Sequence, residues 1–436
     1  MNVIVIVLDT LRADHLSCYG YEKITTPVID KYIAERGVLF EQMIAPNIPT
    51  HPSFTTMFTG VEAITHDIIC VGGKVELSEN IKQIQEILKE NGYTTAAVDN
   101  LGRWFKRGFD IYETYSFDRK VKSAWRKAEI VNEKALPLLH NLAEKQPFYL
   151  FLHYWDPHTP YLPPPPYDRM FYDGGNERDP KKYTMAPVLS FTPFRGIFDW
   201  WTKGITDADY IIAQYDGEIA YLDNQLERVF RLISYLGLWD NTLVIITSDH
   251  GEILMDHWGY FDHHGLYEGN IHIPFIMRHI KELPQEKIIP ALVSNVSMTP
   301  TILDLLDIQG PPMEGRSLMP LINDEEAEPC QEIILCESTW QVKRGIRTKD
   351  WKFIKALEQD FHFGPMKELY HVTADPNEQL NLIDDMPEVA KELEERLDNW
   401  VQKRLMEVVK DKDPLEVQRT SLGRKWVEQI GIAKPS

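Results

Sequence analysis

Continuous apolar runs along the chain predict buried β-strands. Residues 2–8 are Asn-Val-Ile-Val-Ile-Val-Leu, and the runs at 94–98, 147–152 and 241–247 have the same character. Uninterrupted β-branched runs are typical of strands that are covered on both faces of a parallel sheet. Between them, apolar residues at helical spacing predict helices over 26–37, 80–91, 131–144 and 208–236. This alternation predicts a doubly wound, mostly parallel α/β sheet that binds ligands at the carboxyl ends of its strands.

Two stretches depart from this alternation. Residues 160–205 begin with a proline run and later contain Phe198, Trp200 and Trp201, so we predict an insertion that shapes the site, with a variable surface loop as the alternative. After residue 325, short strand patterns at 332–336, 341–348 and 351–355 precede a helical pattern over 386–408. We therefore predict a catalytic α/β domain over 1–325 and a smaller α+β domain over 326–436, with an antiparallel sheet and a helix.

The composition restricts the partners of the protein. The 436 residues include 46 basic and 66 acidic side chains, and the net charge of −20 repels nucleic acids and anionic membranes. A small anionic substrate stays compatible if a bound cation outweighs this field locally. No run approaches the roughly 18 apolar residues of a membrane helix, and no signal peptide is recognisable. With four scattered cysteines we expect reduced thiols and a cytoplasmic protein, and a homo-oligomer stays open.

Polar side chains follow the predicted strands. Asp9 directly follows the first strand, and Asp249 and His250 follow the strand at 241–247. A carboxylate at a strand end points into the ligand crevice, although Asp9 alone also suits a cap or turn. Asp and His on one turn offer a cation an oxygen and an imidazole nitrogen, so these three residues are candidate metal ligands.

Half of the 14 histidines fall in two windows. The first window holds His153 and His158, and the second holds His250, His257, His263, His264 and His272. Asp156 lies in the first window, whereas Asp256 and Asp262 lie in the second. Any single histidine here also suits an ordinary loop, but their clustering makes Asp156 and His158 candidate ligands or proton donors.

A candidate nucleophile stands where a helix is predicted to start. Thr50 follows Pro49, and Pro52 suits the first turn of a helix over about residues 51–59. The free N–H groups and the positive dipole end at such a position favour a tetrahedral anion. A metal lowers the pKa of a threonine hydroxyl and fixes it for attack, whereas the alternative is that Thr50 only caps the helix.

A series of motifs runs in order along the chain. They occupy residues 8–20, 49–60, 156–161, 215–223, 248–252 (Ser-Asp-His-Gly-Glu) and 265–269, and continue at 345–348 and 369–378. Nearly end to end, the chain resembles the sulfatases within the alkaline phosphatase superfamily. The resemblance implies the fold of that superfamily and a metal-dependent hydrolase of phosphate- or sulfate-type esters.

The chain differs from sulfatases at the nucleophile. Sulfatases carry Cys or Ser in a Cys/Ser-x-Pro-x-Arg motif, whose first residue is oxidised to formylglycine, whereas residues 50–54 here are Thr-His-Pro-Ser-Phe. Threonine cannot become formylglycine, and none of the four cysteines is followed by x-Pro-x-Arg. In addition, Thr10 stands where sulfatases have a second aspartate, and His263 stands where they have a substrate-binding lysine.

The metal set resembles that of superfamily members that transfer phosphoryl groups: Asp9, Thr50, Asp249 and His250. This resemblance implies a hydrolase of phosphodiesters or phosphonate monoesters with Thr50 as nucleophile. Oxygen and nitrogen ligands together favour zinc or manganese over calcium. His158 and His263 are expected to contact the ester oxygens, and either can protonate the leaving group.

Three points stay open at this stage. As in two-zinc members of the superfamily, a second ion can be held by Asp156, His158 and His263 or His264, so one or two ions are expected. A sulfate ester hydrolase without formylglycine is the first alternative activity. An inactive sulfatase-like binding protein is the second.

Overall fold

The computed structural model describes residues 1–116, 127–191, 200–325, 329–360 and 364–418. Its strands are β1 (Asn2–Leu8), β2 (Val38–Ile44), β3 (Asn47–Ile48), β4 (Thr94–Val98), β5 (Ile111–Glu113), β6 (Phe148–Tyr154), β7 (Thr242–Thr247), β8 (His272–Arg278), β9 (Lys287–Ser294), β10 (Glu332–Ser338), β11 (Val342–Thr348), β12 (Trp351–Ala356) and β13 (Lys367–His371). Its helices are α1 (Pro27–Tyr32), α2 (Thr50–Thr59), α3 (Ala63–His66), α4 (Ile84–Glu90), α5 (Ala128–Leu142), α6 (Tyr167–Met170), α7 (Ala186–Ser190), α8 (Ala208–Tyr235), α9 (Glu268–Ile271), α10 (Met298–Leu305), α11 (Met319–Ile322), α12 (Pro387–Glu407) and α13 (Pro414–Val417), joined in places by short 3₁₀ turns.

The larger sheet has eight strands in the order β5-β4-β6-β1-β7-β8-β2-β9. All pairs are parallel except the two that β8 makes with β7 and β2. The predicted doubly wound, mostly parallel sheet is therefore confirmed. In this sheet the apolar-run criterion missed β2, β5, β8 and β9, and the helix predicted over 26–37 is the shorter α1 followed by a 3₁₀ turn.

Helices cover both faces of this sheet. Along β1, Ile4, Ile6 and Leu8 pack into one core with residues of α5 and α8. The alternate residues Val3, Val5 and Val7 pack into a second core with residues of α2, α4 and α10. Every residue of β1 is thus buried, which explains its uninterrupted apolar sequence.

The smaller sheet has the order β13-β12-β11-β10-β3. Its four C-terminal strands pair antiparallel, and α12 packs on one face through Ala390, Leu393 and Leu397. The fifth strand, β3, precedes Thr50 and runs parallel to β10. The C-terminal sheet and helix are therefore present as predicted, whereas the division at residue 325 stays a prediction.

An aromatic residue of the insertion over 160–205 lies in the core, and the role of the insertion in shaping the site stays a prediction. Trp201 is 8% exposed and packs in the main core, with its ring 5.5 Å from that of Tyr161. Trp200 is 43% exposed, and Phe198 lies outside the described residues. In the described parts of the chain the four cysteines are free thiols, and no helix has the length and apolar character to cross a membrane.

Candidate active site

Three neighbouring strands of the larger sheet end in side chains that meet. Strand β1 lies between β6 and β7, and Val7 pairs with both His153 and Thr247. His153 therefore stands near the end of β6, beside Asp9 after β1 and Asp249 after β7. All three side chains are fully buried.

His153 links Asp9 to a second aspartate. Its Nε2 lies 3.1 Å from Asp9 Oδ2, and its Nδ1 lies 2.8 Å from Asp99 Oδ1. Burial opposes a charged imidazole, but the hydrogen bonds to Asp9 and Asp99 outweigh it and raise the pKa of His153 to about 9. Burial likewise opposes ionisation of Asp9, yet the His153 bond and nearby imidazoles hold its pKa below the usual range. One oxygen of Asp9 is thereby fixed, and Oδ1 has no hydrogen-bond partner.

A close backbone approach shapes the turn after β7. A Cβ on Gly251 would lie 2.1 Å from the carbonyl oxygen of Gly269, so only glycine fits there. His250 Nδ1 lies 2.9 Å from the carbonyl oxygen of Gly251 and donates to it. The lone pair of His250 Nε2 therefore faces Asp249 Oδ2 and Thr50 Oγ1, each 3.2 Å away.

Thr50 is the first residue of α2 and is 7% exposed. Ser53, in the same turn, donates to the carbonyl oxygen of Asp249 at 2.5 Å and accepts from Asn295 Nδ2 at 3.0 Å. These bonds fasten the start of α2 to the turn that carries Asp249 and His250. The hydroxyl of Thr50 thus stands at a helix N-terminus, where a tetrahedral anion is favoured.

Thr10 occupies a strained conformation beside the cluster. Its φ of 58° is in the left-handed region, which a β-branched residue rarely adopts and which costs about 1–3 kcal/mol. This conformation directs its N–H toward Asp249 Oδ1, 3.3 Å away. Burial and the charge of Asp9 raise the pKa of Asp249, and the imidazoles of His250 and His153 oppose this only in part.

Asp9, Asp249 and His250 form what we call the strand-end cluster, and it fits a divalent cation. One ligand atom from each residue lies within 4.8 Å of the others. Asp9 Oδ1 and Asp249 Oδ2 are buried without a hydrogen-bond partner. The 3.2 Å between Asp249 Oδ2 and His250 Nε2 matches the roughly 3.3 Å edge of a tetrahedron of ligands at about 2.0 Å from zinc. The structure therefore brings together all four residues that the sequence nominated around a metal.

His158 and His263 lie next to this cluster. The His263 ring is 4.9 Å from that of His250 and 5.0 Å from that of His158. His158 Nδ1 lies 2.6 Å from the carbonyl oxygen of Thr159, which fixes the ring. Burial opposes a charge on His263, but Asp262 and Glu252 raise its pKa to about 9. Both histidines are partly exposed, as groups that meet a substrate must be.

Asp156 does not join the two histidines as the sequence suggested. It is buried, and burial together with the charge of Glu218 raises its pKa. Glu218 in turn accepts from Lys127 Nζ at 2.7 Å. Among the described residues, Asp156 is not part of a group of converging metal-ligand atoms, and the charge that acts against Glu218 on its carboxyl group is that of Lys127.

Other polar residues of the second window are structural. Asp256 pairs with Arg12 at 2.5 Å, and the ring of His257 stacks 3.6 Å from that of Tyr267. His264 is 1% exposed, with Nδ1 3.8 Å from Asp262. The sequence interpretation gave no role to Asp99 or Glu252. The position of His153 near the end of a predicted strand was the one sequence feature that pointed to a role for the His153–Asp99 pair.

Comparison with known proteins shows the family of the chain. A sequence model described as "Sulfatase" matches residues 1–308, and one described as "N-sulphoglucosamine sulphohydrolase, C-terminal" matches residues 256–403. The chain is 24% identical over 510 aligned residues to an N-acetylglucosamine-6-O-sulfatase of Bacteroides thetaiotaomicron, covering 95% of this chain and 88% of that protein.

Solved structures show the same fold. One is a protein in complex with its substrate D-glucosamine-2-N,6-O-disulfate, with a TM-score of 0.76, 21% identity, and 95% of this chain and 99% of that chain covered. Another is the phosphonate monoester hydrolase of Agrobacterium radiobacter, with a TM-score of 0.75, 21% identity, and 93% and 96% covered. Since the sulfatase model spans most of its length, the chain belongs to the sulfatase family of ester hydrolases.

Proposed function

We propose that the protein hydrolyses phosphodiesters or phosphonate monoesters, with Thr50 as nucleophile and zinc or manganese held by the strand-end cluster. The observation that carries this proposal is the position of Thr50 Oγ1, 3.2 Å from His250 Nε2 at the start of α2. Sulfatases have formylglycine there, whereas a hydroxyl that attacks directly suits phosphoryl transfer.

Each of these residues has a separate role in the proposed reaction. Thr50 Oγ1 forms a bond to phosphorus as the ester oxygen leaves, and the threonine proton passes to water. Asp9, Asp249 and His250 would hold a divalent cation, which would lower the pKa of the Thr50 hydroxyl and neutralise charge on the transferred group. His158 or His263 donates a proton to the leaving oxygen. Water then cleaves the phosphothreonine, which restores the hydroxyl and releases the product.

The first turn of α2 supplies the remaining stabilisation. Its free N–H groups and positive dipole end face the site where charge develops in the transition state. The bonds of Ser53 to Asp249 and Asn295 keep this turn in place before a substrate arrives. Preorganised donors of this kind need no rearrangement during the reaction, which favours attack by Thr50.

Sulfate ester hydrolysis is the second candidate activity. In its favour, the relative that aligns over 95% of the chain is an N-acetylglucosamine-6-O-sulfatase. The structural neighbour that is a phosphonate monoester hydrolase favours the first activity. The two kinds of ester are both small monoanions, and they differ in the central atom, phosphorus or sulfur.

An assay panel with metal analysis tests the proposal. The purified protein, loaded with zinc or manganese, is assayed with bis-nitrophenyl phosphate, a phenylphosphonate ester, nitrophenyl phosphate and nitrophenyl sulfate. We expect the highest kcat/KM on the diester or phosphonate ester, a loss of about 10⁴-fold or more in Thr50→Ala, and partial activity in Thr50→Ser. Highest activity on the sulfate ester favours the second candidate.

Two outcomes contradict the proposal. Full activity of Thr50→Ala removes Thr50 as the nucleophile. No turnover of any ester by the metal-loaded protein leaves a sulfatase-like binding protein.

A further inference from the structure

A second group of metal-ligating side chains lies beside the strand-end cluster. Glu252, Asp262 and His263 each offer one ligand atom, and these atoms lie within 4.8 Å of one another. We call this group the loop cluster, because its residues follow β7 in a segment whose one ladder contact is an isolated bridge between Ile253 and Asp262. The sequence had paired His263 with Asp156 instead.

The distances in the loop cluster are those of ligands around a cation. His263 Nδ1 lies 3.4 Å from Glu252 Oε1 and 3.3 Å from Asp262 Oδ1. Ligands at about 2.0–2.1 Å from a tetrahedral zinc are separated by roughly 3.3–3.4 Å. Glu252 Oε1 and His263 Nδ1 are both buried and face each other without the alignment of a hydrogen bond. Glu252 is fully buried, so its carboxylate needs a positive partner, which is either a protonated His263 or a bound cation.

The outer oxygens of the two carboxylates are held by the protein. Glu252 Oε2 accepts from the backbone N–H of Thr159 at 3.3 Å, and Asp262 Oδ2 accepts from Trp340 Nε1 at 3.2 Å. Asp262 Oδ1 also accepts from the backbone N–H of His263 at 2.8 Å and keeps a second lone pair. Such outer bonds orient ligating carboxylates in metal sites.

We propose that Glu252, Asp262 and His263 bind a second divalent cation next to the first. This inference deepens the proposed function, on which its catalytic role rests. The stacked rings of His250 and His263, 4.9 Å apart, place the two sites side by side. Paired cations of this kind stabilise both the attacking and the leaving oxygen of an in-line displacement. With His263 as a ligand, His158 is the proton donor to the leaving group.

The competing explanation is that His263 is an imidazolium held by two carboxylates and contacts the anion directly. A proton and a cation both satisfy the orphaned Glu252 oxygen. The two explanations differ in the number of metal ions bound per chain. One ion is expected if His263 is an imidazolium, and two are expected if the loop cluster binds a cation.

Metal titration of the full chain separates these explanations. The chelator-stripped protein is titrated with Zn²⁺ and with Mn²⁺ by calorimetry, and bound metal is counted by elemental analysis after desalting. We expect two equivalents in the wild type and one in Glu252→Gln. Glu337→Gln is the matched control, since Glu337 is a buried glutamate whose Oε1 accepts from Gly265 and Thr339 at 2.7 and 2.6 Å. It should keep both equivalents.

Two results would overturn the inference. The first is that the wild type binds only one equivalent of metal. The second is that Glu252→Gln still binds two equivalents. If Glu252→Gln does not fold, the metal stoichiometries of the wild type and of Asp262→Asn provide the test, with two equivalents expected in the first and one in the second. An inactive protein that binds two ions leaves this inference standing and removes the proposed function, whereas an active protein with one ion does the reverse.

Discussion

The strand-end cluster and the loop cluster are neighbours, but different parts of the fold hold them. Asp9 and Asp249 are fixed by adjacent parallel strands and are completely buried. Glu252 and Asp262 lie on a loop that is held by the isolated Ile253–Asp262 bridge and by the bond from the Glu252 N–H to the Gly269 carbonyl oxygen. Their side chains accept from the Thr159 N–H and from Trp340. The side chain of His263 is 22% exposed.

This difference separates two tasks. A site on strand ends keeps its geometry within narrow limits, which suits the activation of Thr50. A site on loops that also carry His158 can change with the substrate while the sheet stays the same. We therefore expect substitutions in the strand-end cluster to abolish the chemistry, and substitutions in the loop cluster to alter which ester is preferred.

Among substitutions in the two clusters, the largest effect is expected from Asp249→Asn. The amide keeps the shape but removes the charge that faces the cation, so kcat/KM should fall about 10³-fold and one equivalent of metal should be lost. Metal should then raise the melting temperature less than it does in the wild type. Asp240→Asn, at an exposed position just before the same strand, should change neither quantity. Wild-type activity of Asp249→Asn would break the comparison.

A smaller effect is expected from His153→Gln. His153 fixes one oxygen of Asp9 through its bridge to Asp99, and loss of an outer partner of a metal ligand costs about 10–100-fold in affinity or activity. Asp99→Asn should change both quantities in the same direction. Equal metal affinity in the wild type and both variants, measured by calorimetry, would show that Asp9 does not need this support.

The two clusters also differ in how far the sequence predicts them. Strand β1 follows from a β-branched run, and a residue after such a run must stand at the edge where neighbouring parallel strands end. Asp9, Asp249 and His250 could therefore be nominated together. Strand β2 was missed because Glu41 and Gln42 interrupt its apolar run, and β8 and β9 were missed because each contains a proline, Pro274 and Pro290. Strand β5, with three residues, is too short to give an apolar run.

The loop cluster has no such periodic signal. The side chain that faces His263 depends on the Ile253–Asp262 bridge and on the approach of Gly251 to Gly269, contacts that join segments with no repeat or pattern. Because Asp156 is close to His158 in sequence, it was a candidate ligand of a second ion. In the structure it lies instead beside the buried ion pair of Lys127 and Glu218. The buried Glu252, three residues from Asp249, was therefore found only from the structure.

A still smaller effect on activity is expected from His263→Lys, which introduces the residue type that sulfatases carry there. Lysine introduces a positive charge near the anion but removes a ligand atom, so one equivalent of metal should be lost. We expect kcat/KM on the phosphate diester to fall about tenfold, which corresponds to 1.4 kcal/mol, and the ratio of sulfate to phosphate ester turnover to rise. An unchanged ratio would show that the loop cluster does not select the ester.

The smallest effect concerns the far end of α2 and is a change in stability rather than activity. His66 accepts from the backbone N–H of Ile68 at 3.0 Å and bonds Thr56 Oγ1 at 3.0 Å, and burial lowers its pKa to about 3. Because the folded state resists protonation, the stabilising contribution of neutral His66 is complete above the unfolded pKa of about 6.5 and decreases as pH falls toward 3. The free energy of unfolding should therefore decrease by up to about 1.4 kcal/mol per pH unit in this range.

His66→Gln isolates that contribution. Its amide makes neutral hydrogen bonds at every pH, so the decrease in unfolding free energy between pH 6.5 and 4.5, measured by urea denaturation, should be smaller than in the wild type by about 1–2 kcal/mol. Activity at pH 7.5 should be unchanged, because Thr50 is fastened to Asp249 through Ser53 at the other end of the helix. If the unfolding free energy decreases equally with pH in both proteins, protonation of His66 does not destabilise α2. The support of the strand-end cluster would then be assigned to the sheet and not to the far end of this helix.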